Sequence, residues 1–257
     1  MSLKGVCKIM KPALGYRQPH YPESWQALPN GEVIVDEINH VLAPWLPKFF
    51  GYHLLKIGAL SGYIDSSGCT IKHQMNLVER KRAGDIIADV DDLPFLEHSI
   101  DVCLLSHALE FSLDPHHVVR EANRVLIPNG YLVITGFNPF SLAGLNKFIP
   151  YRKNNTPWDE RFFSAMRVKD WLHLMGYEIL EDKKVLHSFL SGKLNQGKIA
   201  HYWQKAASEF LPSLGSVYIL VAKKRVHPLT PIKPKWQIRS KFKPVEVPSM
   251  NSSHKTK

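Results

Sequence analysis

Cysteine is scarce and scattered in this chain of 257 residues. Cys7, Cys69 and Cys103 stand alone, with no C-x-x-C and no even framework, which excludes a disulfide-stapled miniature and fits a reducing compartment. Long apolar runs are missing too: Val217-Tyr-Ile-Leu-Val-Ala222 falls far short of the roughly 18 residues that a membrane span needs. No apolar region follows Lys4 and Lys8, so no secretory signal is expected and the chain reads as cytoplasmic. Neither G-x-x-x-x-G-K-[ST] nor G-x-S-x-G occurs, which leaves phosphate-loop hydrolysis and a hydrolase elbow unsupported. Thirteen histidines are present, yet His98, His107 and the His116-His117 pair match no ligand spacing, and no metal is expected.

What is present is an ordinary globular composition, 44% hydrophobic and 22% charged, long enough for one domain that buries roughly 70–75% of the unfolded chain's surface. The net charge of +10 is unevenly spread. Residues 1–222 carry 23 basic against 22 acidic side chains, whereas residues 223–257 carry 10 basic side chains against Glu246 alone. That tail, with five prolines between Pro228 and Pro248 and with Trp236 and Phe242 among its lysines, reads as disordered from residue 226 onward. Such a segment either holds RNA or another polyanion by phosphate contacts and stacking or merely keeps the chain soluble.

Residues 1–30 hold four prolines and no sustained periodicity, so they form an irregular arm. From Gly31 onward Val33, Ile34, Ile38, Val41 and Leu42 recur at helical spacing, and the arm and this helix make up residues 1–50. Strands and helices then alternate: strands over 53–58, 70–78, 85–89, 100–105 and 131–135, and a helix opened by Asp114-Pro115, with Val118, Val119, Ala122, Val125 and Leu126 on its buried stripe and Pro128-Asn129-Gly130 as its end. A helix from Ser164 to Met175 and strands over 177–186 and 216–224 follow, with a further helix inserted near 198–210. This order predicts an α/β fold: a doubly wound, Rossmann-like parallel sheet over residues 51–225. In such sheets ligands bind at the carboxyl ends of the strands, and the first strand-to-helix turn, here Lys56-Ile-Gly-Ala-Leu-Ser-Gly62, brings backbone close to the ligand. The G-x-G-x-x-G of nicotinamide dehydrogenases is absent from that turn.

Three further segments narrow the reading. Asp89-Val-Asp-Asp-Leu-Pro-Phe95 follows the third strand. Ser99-Ile-Asp-Val-Cys-Leu-Leu-Ser-His-Ala-Leu-Glu110 contains the fourth, and Arg124-Val-Leu-Ile-Pro-Asn-Gly130 leads into the fifth. In this order they resemble the class I S-adenosylmethionine (SAM) methyltransferases, in particular the type 11 family that includes ubiquinone and menaquinone C-methyltransferases. The His53-Leu-Leu-Lys-Ile-Gly58 start and the Gly136-Phe-Asn-Pro139 segment are similar to those of the bacterial YafS-type proteins. The resemblance implies the seven-strand methyltransferase sheet, SAM as cofactor, and methyl transfer to an acceptor that no motif identifies. It implies that Gly58, Ala59 and Gly62 line the methionine part of SAM, that Glu79 meets the ribose, and that Asp89 and the Val90 backbone meet the adenine. Ser106 and His107 would border the methyl group and the acceptor, with His107 either a base or a histidine packed at a strand end. The family opens its first motif with acidic-x-Gly-x-Gly-x-Gly; Lys56 stands here in place of the acid and Leu60 in place of the middle glycine. Those two departures leave open a second reading, a methyltransferase fold kept as a binding or interaction module. The tail leaves open a third, an RNA methyltransferase.

Overall fold

In the computed structural model, residues 22–79, 86–145, 157–158, 160–187, 190 and 212–226 are described, and they belong to a compact unit that ends at Val226. The inserted helix expected near 198–210, most of the basic tail, the first 21 residues and Cys7 lie outside them.

Seven strands, β1 (His53–Ile57), β2 (His73–Val78), β3 (Ile86–Ile87), β4 (Ile100–Ser106), β5 (Leu126–Phe137), β6 (Tyr177–Val185) and β7 (Val217–Lys224), form one sheet in the order β3-β2-β1-β4-β5-β7-β6. The first five run parallel, and β7 enters antiparallel between β5 and β6. The sheet's strand order reverses between β1 and β4, so their carboxyl ends flank the crevice where such sheets bind ligands.

Both faces of the central strands are covered, which is why β4 and β7 read as near-continuous apolar runs rather than alternating ones. On one face Leu55, Ile57, Cys103, Leu105, Leu132 and Ile134 pack under two helices, α3 (Pro115–Val125) and α5 (Ala165–Leu174). On the other, Leu54, Val102, Leu104 and Val133 pack against Ile34, Ile38 and Leu42 of α1 (Gly31–Leu42). Two short turns of helix, α2 (Ala108–Phe111) and α4 (Leu142–Leu145), follow β4 and β5. The expected caps are in place: the Asp114 carboxylate accepts the His116 and His117 backbone N–H groups, both at 3.1 Å, and the Ser164 hydroxyl accepts that of Arg167 at 3.3 Å.

Three boundaries differ from the expectation. β2 starts at His73 rather than Thr70, because the Thr70 hydroxyl is turned to the Phe49 carbonyl at 2.5 Å. β3 is only two residues long. β5 begins at Leu126, five residues early: Leu126 pairs with Ile100 and Tyr131 with Val102, so Pro128-Asn129-Gly130 forms an irregularity inside the ladder instead of ending the helix, with Asn129 left-handed at φ 64°. The arm is also less irregular than its prolines suggest. A three-residue 3₁₀ turn, Trp25–Ala27, carries Trp25 into the core on the α1 face.

Asp101, the aspartate that opens the fourth strand, has a structural task. Its buried carboxylate accepts the backbone N–H groups of Tyr52 at 2.9 Å and His53 at 2.8 Å, tying the amino end of β1 to β4. Removing it strands two donors, so Asp101→Ala should lower the unfolding free energy by about 2 kcal/mol. Urea denaturation of the two proteins measures the difference; an unchanged midpoint would contradict it.

Candidate functional site

The carboxyl ends of β1, β4 and β5 are joined by hydroxyls. Ser61, fully buried in the turn after β1, donates to the Ile57 carbonyl at 2.6 Å and accepts the Ser106 N–H at 2.7 Å. The Ser106 hydroxyl lies 2.9 Å from that of Thr135 in β5, and the His107 N–H donates to the Thr135 carbonyl at 3.0 Å. The turn that Ser61 holds is a 3₁₀ turn, Ser61–Tyr63, and no longer helix forms between β1 and β2. The Ser66-Ser67-Gly68 stretch beyond it is a poor helix former.

Gly58 ends β1 at φ +89°, a conformation that a side chain strains. Among the described residues a Cβ placed there would meet only the Ala108 Cβ, at 3.6 Å, which is ordinary van der Waals contact, so the turn has room for a methyl group at this point. Leu60 and Lys56 turn away from it. The Leu60 side chain is buried in the core on the α1 face. The Lys56 ammonium donates to the Ile64 carbonyl at 2.8 Å. Burial lowers the Lys56 pKa, an effect opposed by Asp65 nearby.

The residues singled out in the sequence gather along this edge. Gly58, Ala59 and Gly62 form the turn after β1, Glu79 follows β2, Asp89 and Val90 follow β3, and Ser106 and His107 end β4. Asp89 is exposed and its carboxylate accepts the Asp91 N–H at 2.9 Å. One oxygen of Asp91 is buried without a partner, and its carboxyl pKa is raised by burial and by the adjacent Asp89 carboxylate. Among the described residues no group of three or more His, Cys, Asp or Glu side chains is placed to hold a metal ion, and no helix is long and apolar enough to cross a membrane.

His107 is left-handed at φ 52° and 1% exposed. Its ring packs on Phe137, with centroids 4.2 Å apart, and edge-on to Trp25 at 5.4 Å. Nδ1 lies 3.4 Å from Glu110 Oε1, and neither ring nitrogen makes a hydrogen bond. Glu110, buried as well, accepts the Phe137 N–H at 2.6 Å, as a loop partner would, while its other oxygen has no partner. Gly136 has no room for a side chain: the Tyr218 hydroxyl and Glu110 Oε1, at 2.6 Å, crowd the point its Cβ would take. The Tyr218 hydroxyl has no partner, and its pKa is pushed well up by burial and by Glu110. Asn138 spends its amide on the Ser213 and Gly215 carbonyls at 3.1 and 2.9 Å, so Asn138-Pro139 secures a loop.

Sequence reasoning missed Trp25, Ser61, Thr135 and Tyr218. A lone tryptophan in a proline-rich arm and hydroxyls inside or beside strands carry no periodic signal.

A seven-stranded sheet with one antiparallel strand, order 3-2-1-4-5-7-6, and a ligand edge at the ends of β1, β2 and β4 is the fold of SAM-dependent methyltransferases. Residues 54–134 match a family described as a methyltransferase domain, of type 11. Among solved structures, a SAM-dependent methyltransferase from Thermotoga maritima superposes with a TM-score of 0.53 at 18% identity, covering 78% of this chain and 100% of that one. The [4+2]-cyclase SpnF superposes at 0.50 and 18% identity, covering 75% and 82%. The chain is 39% identical to the YafS protein of Escherichia coli over 232 residues, 90% of this chain and 92% of that protein. It belongs to the family of YafS.

The linkage of Lys56 to pH has a definite sign. The unfolded chain keeps the lysine proton up to about the ordinary value of 10.5, whereas the folded chain releases it sooner. Between those two values the unfolded state binds more protons, so this group adds stability as pH rises. In urea titrations from pH 7 to 10.5, the stability of the wild type relative to Lys56→Met should increase with pH. A difference that stays flat or shrinks would contradict the burial of a titrating amine.

Proposed function

We propose that this chain binds SAM along the carboxyl edge of β1, β2 and β4 and transfers its methyl group to an acceptor. The observation that carries the reading is that Gly58 has room for a methyl group while the residues that replace the family's acid and middle glycine are engaged elsewhere, Lys56 at the Ile64 carbonyl and Leu60 in the core. The Asp91 oxygen that is buried without a partner among the described residues follows β3 on the same edge. SAM supplies an activated methyl group on a sulfonium, so the protein is asked chiefly for alignment.

The chain's own residues meet the cofactor in two halves. Asp89 and Asp91 offer acceptors that suit an adenine amino group, and Glu79, just past β2, would meet the ribose hydroxyls. The turn Gly58-Ala59 gives the methionine half a close backbone. Lys56 does not repel the ammonium of that half directly, because its own ammonium is tied to Ile64 under the turn. Orientation of that ammonium falls to groups other than a carboxylate at position 56. Ser106 and His107 border the reacting methyl in this reading, with Glu110 beside the imidazole at 3.4 Å.

Isothermal titration tests the reading. S-Adenosylhomocysteine should bind the wild type, Gly58→Val should abolish binding by filling the cradle while the circular dichroism stays native, and Asp89→Ala should weaken it by about tenfold or more, the worth of one hydrogen bond to a charged acceptor. No heat with either SAM or S-adenosylhomocysteine at millimolar ligand would retire the enzyme reading in favour of an interaction module.

A further inference from the structure

The N-terminal segment ends on the site. Trp25, 3% exposed, donates its indole N–H to the Leu60 carbonyl at 3.0 Å and lies edge-on over His107. Close approach is built in, since any side chain on Gly31 would collide with the Trp25 carbonyl. Beneath it the aromatic surface continues from His107 to Phe137, to Phe162 at 5.1 Å and on to Trp158 at 6.1 Å. The two ring nitrogens of His107 are buried and unbonded. A buried imidazole with both nitrogens unsatisfied calls for a partner that the described residues do not supply.

We infer that Trp25 is a plug occupying the acceptor subsite, and that the group which displaces it is a planar ring bearing an N–H or O–H donor. The inference rests on the methyl-transfer reading for the word acceptor, and on the contacts alone for the rest. With Trp25 withdrawn, the subsite presents an aromatic wall, the Leu60 carbonyl, which keeps one lone pair beyond the Tyr63 N–H it accepts at 3.3 Å, and an imidazole. A ring that repeats what the indole does satisfies the first two, and a second N–H or O–H on that ring would face the third. In a transfer, the proton of that second X–H group would pass to His107. SAM, when bound, would supply the methyl carbon and keep the electrons of the carbon–sulfur bond, and the X lone pair would form the new bond. The imidazolium is held beside Glu110 until it returns the proton to water.

The plug also accounts for the two departures in the first turn. Leu60 puts an apolar side chain into the core shared with Trp25 and offers its carbonyl to the indole; Lys56 pins the far end of the same loop at Ile64. Both replacements build the surface on which the plug rests. A plug carried on a three-residue turn can open without unfolding the sheet.

Native-state hydrogen exchange on the full wild-type chain separates a plug from a core residue. The Trp25 Nε1–H signal, assigned by its loss in Trp25→Phe, should exchange at least about a hundredfold faster than the slowest β4 amides and with little denaturant dependence. Indole or 2-naphthol at millimolar concentration should accelerate that exchange and shift the signal, by binding the open form. 1-Methylindole, with the same shape and no donor, should need about tenfold more. Exchange of Trp25 together with the β4 amides overturns the proposal, and so does a signal indifferent to the ring compounds or equally sensitive to indole and 1-methylindole. Running the series with and without S-adenosylhomocysteine keeps the two claims apart: failure of the nucleoside to bind bears on methyl transfer and leaves the exchange result standing.

Discussion

Three buried hydroxyls, those of Ser61, Ser106 and Thr135, hold the working edge of the sheet together. Backbone ladders fix the strands along their length, but they end where β1, β4 and β5 deliver their residues to the crevice. There the Ser61 hydroxyl bridges the Ile57 carbonyl and the Ser106 N–H, and Ser106 continues to Thr135. Each group is satisfied within the protein, so the low dielectric around it strengthens the chain of bonds. Gly58, Ser106 and His107 keep their relative positions because of this connection. Without it, the turn after β1 would keep the Lys56 and Trp25 bonds to the Ile64 and Leu60 carbonyls, and neither of those joins it to β4.

The same edge explains how a chain with a broken first motif keeps the geometry of its fold. A lysine in place of the family's acid looks like a charge reversal in the ligand's path. Its ammonium instead becomes a loop fastener, bound to the Ile64 carbonyl under the turn, and Leu60 becomes core. Gly58 keeps room for a methyl group, with only the Ala108 Cβ within 4 Å of it among the described residues. The change thus alters what orients the methionine end of a ligand without closing the site.

Much of the fold was legible where physics repeats itself along the chain. β4 and α3 followed from a doubly buried apolar run and an Asp-Pro cap, and the parallel sheet followed from their alternation. The positions of Gly58, Asp89 and Ser106 along one edge follow from topology, since in a doubly wound sheet every residue just past a parallel strand lies on that edge. Single long-range contacts were not legible. Trp25 sits in an arm whose prolines advertise irregularity, yet one indole reaches Leu60, 35 residues on. The early start of β5 depends on Asn129 adopting a left-handed turn inside a ladder. His107 read as a packed ring more readily than as a base, and its ring is packed on Phe137 and Trp25 with Glu110 Oε1 3.4 Å from Nδ1.

The central claim is that an adenosyl ligand lies over Gly58 with its base toward Asp89. A crystal structure of the full chain grown with S-adenosylhomocysteine tests it most directly. The account predicts ligand density across the ends of β1 and β2, the adenine amino group within hydrogen-bond distance of the Asp89–Asp91 pair, and Lys56 still bound to the Ile64 carbonyl. A saturated crystal with no density there, or with the Leu60 or Lys56 side chain lying over Gly58, would contradict it.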